Sequence, residues 1–286
     1  MGDWVKRYAL LCILAAGAGA AGDWEQARRL YDRTEFEESL KVLKAIPEKD
    51  ARTYGLMGQN YFMIGEYKKA TEVLEKAVAA EPDNSDYVMW LGRTHGRRAE
   101  TASPFSVMGQ ASKARQYFER AVALDPRNIE ALNDLLEFYL EAPGFLGGGL
   151  EKAKATVAQI SCVNLSEGQW AQSRIDEKRK EPGSAEAHLR RALELAPLQV
   201  GRLLDLARFL SKQGRYQEAE ENFARAEAIA PENPKLLYVR ADSYIKSNRN
   251  LEVAKGLLKR YLSSNITPED PPKSSARKLL EQIEGS

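Results

Sequence analysis

Two histidines are the residues best suited to proton transfer or metal binding in this chain of 286 residues. Neither His95 nor His188 has a cysteine, an aspartate or a second histidine at metal-ligand spacing on the same helix face. No cysteine–histidine pair and no hydrolase-like order of serine, histidine and aspartate stands out along the chain. We therefore interpret His95 as an aromatic packing residue and His188 as a surface residue. We predict no catalytic residue and no metal site.

A glycine-rich segment is the second candidate for chemistry, because glycine loops can bind phosphate groups. Gly144 and Gly149 have the spacing of a phosphate-binding loop. Leu150 and Glu151, however, stand where that loop needs a lysine and a hydroxyl residue. The segment also follows a predicted helix, whereas a phosphate-binding loop follows a strand. We therefore expect a connecting loop and predict no bound cofactor.

The charge balance argues against nucleic acid as a partner. Lysine plus arginine number 42 and aspartate plus glutamate 41, which gives a formal net charge of +1. A nucleic-acid binder usually has a basic excess, because phosphate contacts supply most of its affinity. The run from Arg174 to Glu181 mixes both signs of charge, which is typical of a solvated helix end.

The first residues have the pattern of a targeting segment. Lys6 and Arg7 precede an apolar run of about 14 residues, which is short of the roughly 20 that a membrane-spanning helix needs. Ala18-Gly19-Ala20 matches a small-residue cleavage pattern, so we expect residues 1–21 to be a cleaved signal peptide and the mature protein to be periplasmic or secreted. The alternatives are an uncleaved anchor, which makes the protein membrane-anchored, and an ordinary first helix, which makes it cytoplasmic. After cleavage we expect no membrane insertion, and Cys162 is then the only thiol, so no intramolecular disulfide forms.

Two distant segments share one pattern of large and small residues, repeated over about 34 positions. The first copy reads Tyr54-x2-Met57-Gly58-x2-Tyr61-x3-Gly65-x-Tyr67-x2-Ala70-x3-Leu74-x2-Ala77-x4-Pro82. The second copy reads Leu203-x2-Leu206-Ala207-x2-Leu210-x3-Gly214-x-Tyr216-x2-Ala219-x3-Phe223-x2-Ala226-x4-Pro231. This spacing gives each helix one buried stripe, and the prolines end the second helix of each pair. No window shows the alternation of a strand, so we expect almost none.

The pattern resembles the tetratricopeptide repeat, whose motif has large residues, a glycine or alanine and a closing proline at these spacings. The resemblance covers about residues 23–270 and implies an all-α, right-handed α-solenoid of about seven helix pairs. The segment 271–286 is expected to form a capping helix and tail. Gly58 and Ala219 are expected to be small where paired helices approach closely. Gly65 is expected to adopt the left-handed conformation that closes a first helix.

The resemblance implies binding rather than catalysis. In this family the first helix of each pair lines a concave groove in which peptides or partner helices lie. We therefore predict a non-catalytic scaffold for a protein or peptide, with an accessory or substrate-binding subunit of a cell-envelope enzyme complex as the alternative. The chaperone-binding members use lysine, arginine and asparagine to clamp a C-terminal carboxylate. Gly55 and Gln59 stand where that clamp would start, so we predict no chaperone tail as ligand. The oligomeric state stays open.

Two segments add residues between the helices of consecutive pairs. We expect both inserts, residues 97–110 and 142–149, to be loops that emerge on the same edge and lie next to each other. Three consecutive glycines would let the backbone of the second insert approach a partner or the neighbouring loop closely. The second insert, Ala142-Pro143-Gly144-x2-Gly147-Gly148-Gly149, is similar to inserts of exported bacterial tetratricopeptide proteins. Two interpretations stay open: the inserts form one wall of the partner site, or they only cover the edge of the solenoid.

The partner-binding candidates are polar or aromatic side chains of the first helices together with apolar side chains of the two inserts. They are Arg52, Gln59, Arg93, Phe105, Met108, Asn133, Glu137, Phe145, Leu146, Arg208, Tyr238 and Asp242. We expect Arg208 to contribute little to stability, because it is predicted to lie on an exposed helix face.

Overall fold

The computed structural model describes residues 22–284, which form helices and turns without any strand. The first helix, α1, covers residues 22–32. The others are α2 (Phe36–Ala45), α3 (Ala51–Met63), α4 (Tyr67–Ala80), α5 (Ser85–Glu100), α6 (Pro104–Leu124), α7 (Ile129–Glu141), α8 (Leu150–Val163), α9 (Leu165–Lys178), α10 (Pro182–Leu195), α11 (Val200–Lys212), α12 (Tyr216–Ile229), α13 (Pro234–Lys246), α14 (Leu251–Ser263) and α15 (Lys273–Glu284). They form seven consecutive pairs and one further helix, so the predicted all-α fold is confirmed. The predicted signal peptide lies outside the described residues, within which no helix is long and apolar enough to cross a membrane.

The starts of the first helices follow from a recurring polar residue. An asparagine or aspartate precedes most first helices, because its side-chain oxygen accepts hydrogen bonds from free N–H groups of the first turn. These cap residues are Asp50, Asn84, Asn128, Asn164 and Asn233. Each cap stabilises its helix by about 1 kcal/mol. Within two of the pairs, Gly65 and Gly214 end the first helix with φ values of 80° and 77°, as the sequence predicts.

The chain divides into two compact units, one that ends at Ala131 and one that begins at Leu132. In the first unit, paired helices approach so closely that only small residues fit between them. A Cβ added to Gly58 would lie 2.4 Å from Cγ of Leu74, and a Cβ added to Gly92 would lie 2.6 Å from the Phe118 ring. The predicted role of Gly58 as a close-contact position is therefore confirmed.

The second unit has the same kind of core. Ala219 and Phe223 of α12 are buried together with Leu206 of α11. At the end of this unit, α15 buries Ala276 in a cluster that contains Tyr261 of α14. The last helix therefore covers apolar surface of the last helix pair.

The first insert is helical, so the predicted loop at residues 97–110 is wrong. The preceding helix α5 continues to Glu100, and α6 begins at Pro104, so only residues 101–103 form the turn. Proline suits the first turn of a helix, because its fixed φ is helical and its missing N–H would be unpaired there in any case. The additional residues therefore lengthen both helices instead of the connection.

The second insert, residues 142–149, is a loop that contains a single 3-10 turn, Gly144–Leu146. Gly147 has φ +91°, and a Cβ added to Gly148 would lie 1.8 Å from the carbonyl oxygen of Ala142. Gly148 therefore approaches the backbone of its own loop closely, and the predicted approach to a partner or to the other insert stays a prediction. The two inserts belong to different units, and their predicted proximity stays a prediction.

Candidate functional site

A groove of about 770 Å³ lies on the first helices of the second unit. Side chains of α7, α9, α11 and α13 line it, and α10 and α12 contribute one side chain each. Helices that pack about 8–10 Å apart place roughly 25–30 Å between the first and the last of these four. An extended peptide of about eight residues has this length. The half-buried Trp170 supplies apolar surface among otherwise mostly polar lining residues, whereas Phe209 is buried in the core beneath.

Charged side chains of successive first helices form ion pairs along this groove. Arg174 donates to Glu137 at 3.1 Å, and Lys212 donates to Glu177 at 3.5 Å. The partners are 37 and 35 residues apart, so each pair joins one repeat to the next. Exposed pairs of this kind stabilise a protein by only about 0–1 kcal/mol. A charged ligand therefore displaces such a pair at little cost.

The two partners of these ion pairs differ in exposure. Three cations of α11 and α13 that line the groove are more exposed than the acids that they contact. The exposed side-chain fractions are 55% for Arg208 against 19% for Asp205, 70% for Lys212 against 25% for Glu177, and 74% for Lys246 against 15% for Asp242. At α7 the order is reversed, since Glu137 is 49% exposed and its partner Arg174 32%. The groove therefore presents positive charge at its α11–α13 end and negative charge at its α7 end.

A smaller cavity of about 160 Å³, the side pocket, adjoins the groove. The groove and the side pocket share the lining residues Ser211, Tyr216, Ser243 and Ser247. Ser243 is 5% exposed, and its hydroxyl has no hydrogen-bond partner among residues 22–284. An unpaired buried hydroxyl costs about 1–3 kcal/mol. The hydroxyl oxygen itself is closed off from solvent in this structure, so a ligand group can bond it only after the Ser243 side chain rotates towards the cavity.

Arg249 lines the side pocket from the turn between α13 and α14. Its guanidinium carbon lies 4.1 Å from the centre of the Tyr216 ring. Within the part of the chain that the structure describes, no carboxylate forms an ion pair with Arg249. Glu220 also lines the pocket, but it is paired with Arg240 at 2.8 Å. The side pocket therefore has one cation whose charge no acid of these residues neutralises.

Buried ion pairs join α9 to α11 beside the groove. Arg202 is 6% exposed and bonds Glu167 of α9 and, at 3.0 Å, Asp205 of its own helix. The guanidinium of Arg202 also lies 5.5 Å from the centre of the Trp170 ring. Burial raises the pKa of the Asp205 carboxyl above its ordinary value, although the cations of Arg208 and Arg202 oppose this shift. These contacts fix the orientation of Trp170 and Asp205 on the groove wall.

The sequence candidates of the second unit separate into two groups. Those that line the groove are Glu137, Arg208 and Asp242. Asn133 instead donates a hydrogen bond to Glu167 at 3.0 Å. The ring of Tyr238 lies 5.3 Å from that of Tyr261 and packs on the core of the last helix pair. The structure therefore brings three of the five first-helix candidates of this unit together.

The first-helix candidates of the first unit, Arg52, Gln59 and Arg93, lie on α3 and α5. Arg52 is exposed, and Gln59 is half-buried. Arg93 forms an ion pair with Glu130 at 3.0 Å, and its guanidinium carbon lies 4.8 Å from the centre of the Trp90 ring. Glu130 and Trp90, which belong to the same unit as Arg93, therefore hold its side chain in place.

The apolar candidates of the two inserts differ in exposure. Phe105 is 100% and Met108 56% exposed, both in the first turns of α6. In the second insert Phe145 is 78% exposed and Leu146 is half-buried. Single exposed hydrophobic residues are common on protein surfaces. A fully exposed phenylalanine beside an exposed methionine nevertheless leaves a local apolar surface on α6.

The sequence prediction missed several groove residues. Lys212 and Lys246 follow predicted residues of α11 and α13 by one helical turn, so helical spacing would have identified them. Trp170 and Arg174 belong to the fifth helix pair, whose first helix departs from the motif. The signal for Ser243 is absent from the sequence, because an unpaired hydroxyl is a property of three-dimensional contacts.

The histidines have structural surroundings. His95 is 1% exposed and stacks on Tyr117 with ring centres 5.4 Å apart, which confirms it as an aromatic packing residue. Burial lowers the pKa of its imidazole.

His188 is half-buried rather than at the surface, with Nε2 3.6 Å from the Asp176 carboxylate. Asp176 is 2% exposed, so the predicted solvated helix end is wrong at this residue. Ser184 donates its hydroxyl to Asp176 at 2.8 Å, whereas a nucleophilic serine is bonded to a histidine base.

Comparison with known proteins supports this architecture. Three family models, each described as tetratricopeptide repeat, match residues 210–265, residues 171–234, and residues 51–84 with 108–128. No curated protein matches the chain.

Several solved structures have a similar fold at low sequence identity. A thermophilic tetratricopeptide-repeat protein of Thermus thermophilus has a TM-score of 0.53 and 20% identity, over 70% of this chain and 98% of that chain. A tetratricopeptide-repeat protein of Parabacteroides merdae has a TM-score of 0.58 and 14% identity, over 93% of this chain and 98% of that chain. The human IFIT1 dimer with PPP-AAAA has a TM-score of 0.52 and 18% identity, over 82% of this chain and 52% of that chain. At these identities the likeness shows the fold alone.

The family models and the helix pairs lead to the same assignment. The repeat motif, the close-contact glycine and the left-handed glycines agree with the family pattern residue by residue. The chain belongs to the tetratricopeptide-repeat family.

Proposed function

We propose that this protein binds an extended peptide segment of a partner protein in the groove of its second unit, without catalysing a reaction. Tetratricopeptide-repeat proteins are generally protein-interaction scaffolds, which supports a binding role. The observation that carries the proposal is the groove of about 770 Å³ across four first helices, along which Glu137, Arg208 and Asp242 lie.

The lining of the groove suits a peptide. The half-buried Trp170 offers apolar contact, and tryptophan and arginine are enriched among the residues that dominate binding energies. Around them Arg174 and Arg208 form exposed ion pairs, which exchange partners at small cost. A peptide backbone and its side chains therefore find both apolar and hydrogen-bonding surface over the length of the groove.

Selection from a peptide library tests the proposal. The immobilised full chain is presented with a display library of random peptides of about 12 residues, which exceeds the span of the groove. Ser211→Trp places a large ring in the groove, because Ser211 of α11 is half-buried there. Ala224→Trp adds the same ring to an exposed position of α12 that does not line the groove.

We expect wild type and Ala224→Trp to enrich the same peptides and Ser211→Trp to lose them. Enrichment that survives in Ser211→Trp would place the binding surface elsewhere. The absence of enrichment over an empty support would contradict peptide binding.

Two further proposals rest on the sequence. The composition of residues 1–21 supports export, so we propose that the mature protein acts in the periplasm or outside the cell. We also propose that Phe105, Met108 and Phe145 contact a partner, since they are exposed apolar side chains. A pull-down from the native cell envelope tests the alternative role: recovery of an envelope enzyme with this protein would favour an accessory subunit over a general scaffold.

A further inference from the structure

We propose that the side pocket of the second unit binds an acidic side chain, an aspartate or glutamate, that branches from a peptide held in the groove. This inference rests on the proposed function and adds the chemistry of the ligand. The carboxylate bound at the α11–α13 end of the groove belongs to a side chain within the peptide and not to the C-terminus of the peptide.

The first support is the unpaired hydroxyl of Ser243. The side chain is 5% exposed, lies at the boundary of the groove and the side pocket, and has no hydrogen-bond partner in residues 22–284. Buried polar groups in folded proteins are nearly always paired, so the unpaired Ser243 hydroxyl is an exception. Its oxygen is closed off from solvent, and a rotation of the side chain towards the cavity is the step by which a ligand would pair it. A hydroxyl donates well to a carboxylate, and hydrogen bonds to a charged group are the stronger ones.

The second support is the charge at the pocket. Arg249 lies over the Tyr216 ring at 4.1 Å and forms no ion pair within the described residues. The acid that lines the same pocket, Glu220, is paired with Arg240. Arg249 and Ser243 therefore both line the pocket without an ion pair or a side-chain hydrogen bond among the described residues, and a carboxylate is the group that both can bond.

The third support is the direction of charge along the groove. Arg208, Lys212 and Lys246 are each more than half exposed, while the acids that they contact are at least three-quarters buried. A peptide therefore meets cations on its way to the side pocket. The groove extends from the lining residues that it shares with the side pocket to Glu137 of α7, so a peptide that fills the groove would present the carboxylate to the pocket as a side chain.

The test uses the peptides that the wild-type chain enriches from the random library. We expect one position of these peptides to be mostly aspartate or glutamate. Arg249→Glu should reverse that preference to lysine or arginine and leave the other positions unchanged. Arg225→Glu makes the same charge change on an exposed residue of α12 outside both cavities, and it should retain the acidic preference.

One enriched peptide is then synthesised in three forms: unchanged, with its acidic residue as the amide, and with an amidated C-terminus. We expect the side-chain amide to bind wild type about 10-fold more weakly, and the C-terminal amide to bind equally well. Ser243→Ala should reduce the 10-fold discrimination without lowering the denaturation midpoint, because the Ser243 hydroxyl makes no hydrogen bond to the described residues. In contrast, Ser166→Ala removes a buried hydrogen bond to Ala192 and should lower the midpoint.

Four results would overturn the inference while peptide binding stands: no acidic position, an unchanged preference in Arg249→Glu, full discrimination retained in Ser243→Ala, or an affinity that follows the terminal carboxylate. Enrichment that Ser211→Trp does not abolish, or no enrichment at all, would reject the proposed function and this inference with it. The two failures are therefore distinguishable in the same experiment.

Discussion

Replacing Gly148 by alanine should disrupt the second insert. A Cβ at this position would lie 1.8 Å from the carbonyl oxygen of Ala142, which is backbone and cannot turn aside as a side chain can. The loop would have to open. Its closing hydrogen bonds run from the N–H of Gly148 to Pro143 at 3.3 Å and from the N–H of Gly149 to Tyr139 at 2.8 Å. At about 1 kcal/mol for each bond, with some strain added, the expected loss of unfolding free energy is about 2–3 kcal/mol.

Gly144 of the same loop supplies the matched control. A Cβ there would meet no atom within 4 Å, and the residue starts a 3-10 turn. Gly144→Ala should therefore be neutral or stabilise the fold by up to about 1 kcal/mol, because alanine restricts the unfolded chain. Equilibrium urea denaturation followed by far-UV circular dichroism measures both variants. Equal midpoints for Gly148→Ala and Gly144→Ala would refute the reasoning about the loop.

Three other predictions address packing, capping and export. Ala219→Leu should lower the free energy of unfolding by about 1–3 kcal/mol, because it overfills the core of α11 and α12. Arg208→Ala should change it by at most about 1 kcal/mol. Chemical denaturation that shows the reverse order would mean that the repeat register is wrong. Burial alone would raise the pKa of the Asp50 carboxyl, but hydrogen bonds from the first turn of α3 lower it below its ordinary value. Asp50→Ala should therefore lower the free energy of unfolding by about 1 kcal/mol at neutral pH. This difference from wild type should shrink as the pH falls below the unfolded pKa of about 3.9 and then through the lower folded pKa. A difference that does not change with pH would contradict the cap. N-terminal sequencing of the exported protein should find a first residue between Gly19 and Asp23, most often Ala21, and a protein that still begins with Met1 would contradict the leader.

The helix pairs could be predicted because two copies of the motif carry the same large and small residues at the same offsets. Gly58 and Gly65 show why: a close helix contact and a left-handed turn each tolerate few residue types, so the residue identifies the local geometry. The lengths of α5 and α6 could not be predicted in this way. Pro104 suits both a loop and the first turn of a helix, and the structure uses it as the latter.

The candidate site was predicted only in part, because its chemistry depends on contacts between repeats. Arg174 bonds Glu137, which lies 37 residues earlier in the chain, and no local sequence pattern predicts that pair. The unpaired state of Ser243 depends on the residues around it rather than on its neighbours in the chain. In contrast, the placement of Arg208 and Asp242 on the groove followed from the repeat register alone.

Hydrogen–deuterium exchange of the full chain, with and without a peptide enriched from the random library, tests most directly whether the groove of the second unit is the binding surface. Binding in the groove predicts slower exchange in the first helices α9, α11 and α13, at the segments that contain Arg174, Arg208 and Ser243. The exposed faces of the second helices α12 and α14 should exchange at unchanged rates. Protection confined to second helices, or to the unit that ends at Ala131, would contradict the proposal that the groove of the second unit holds the peptide.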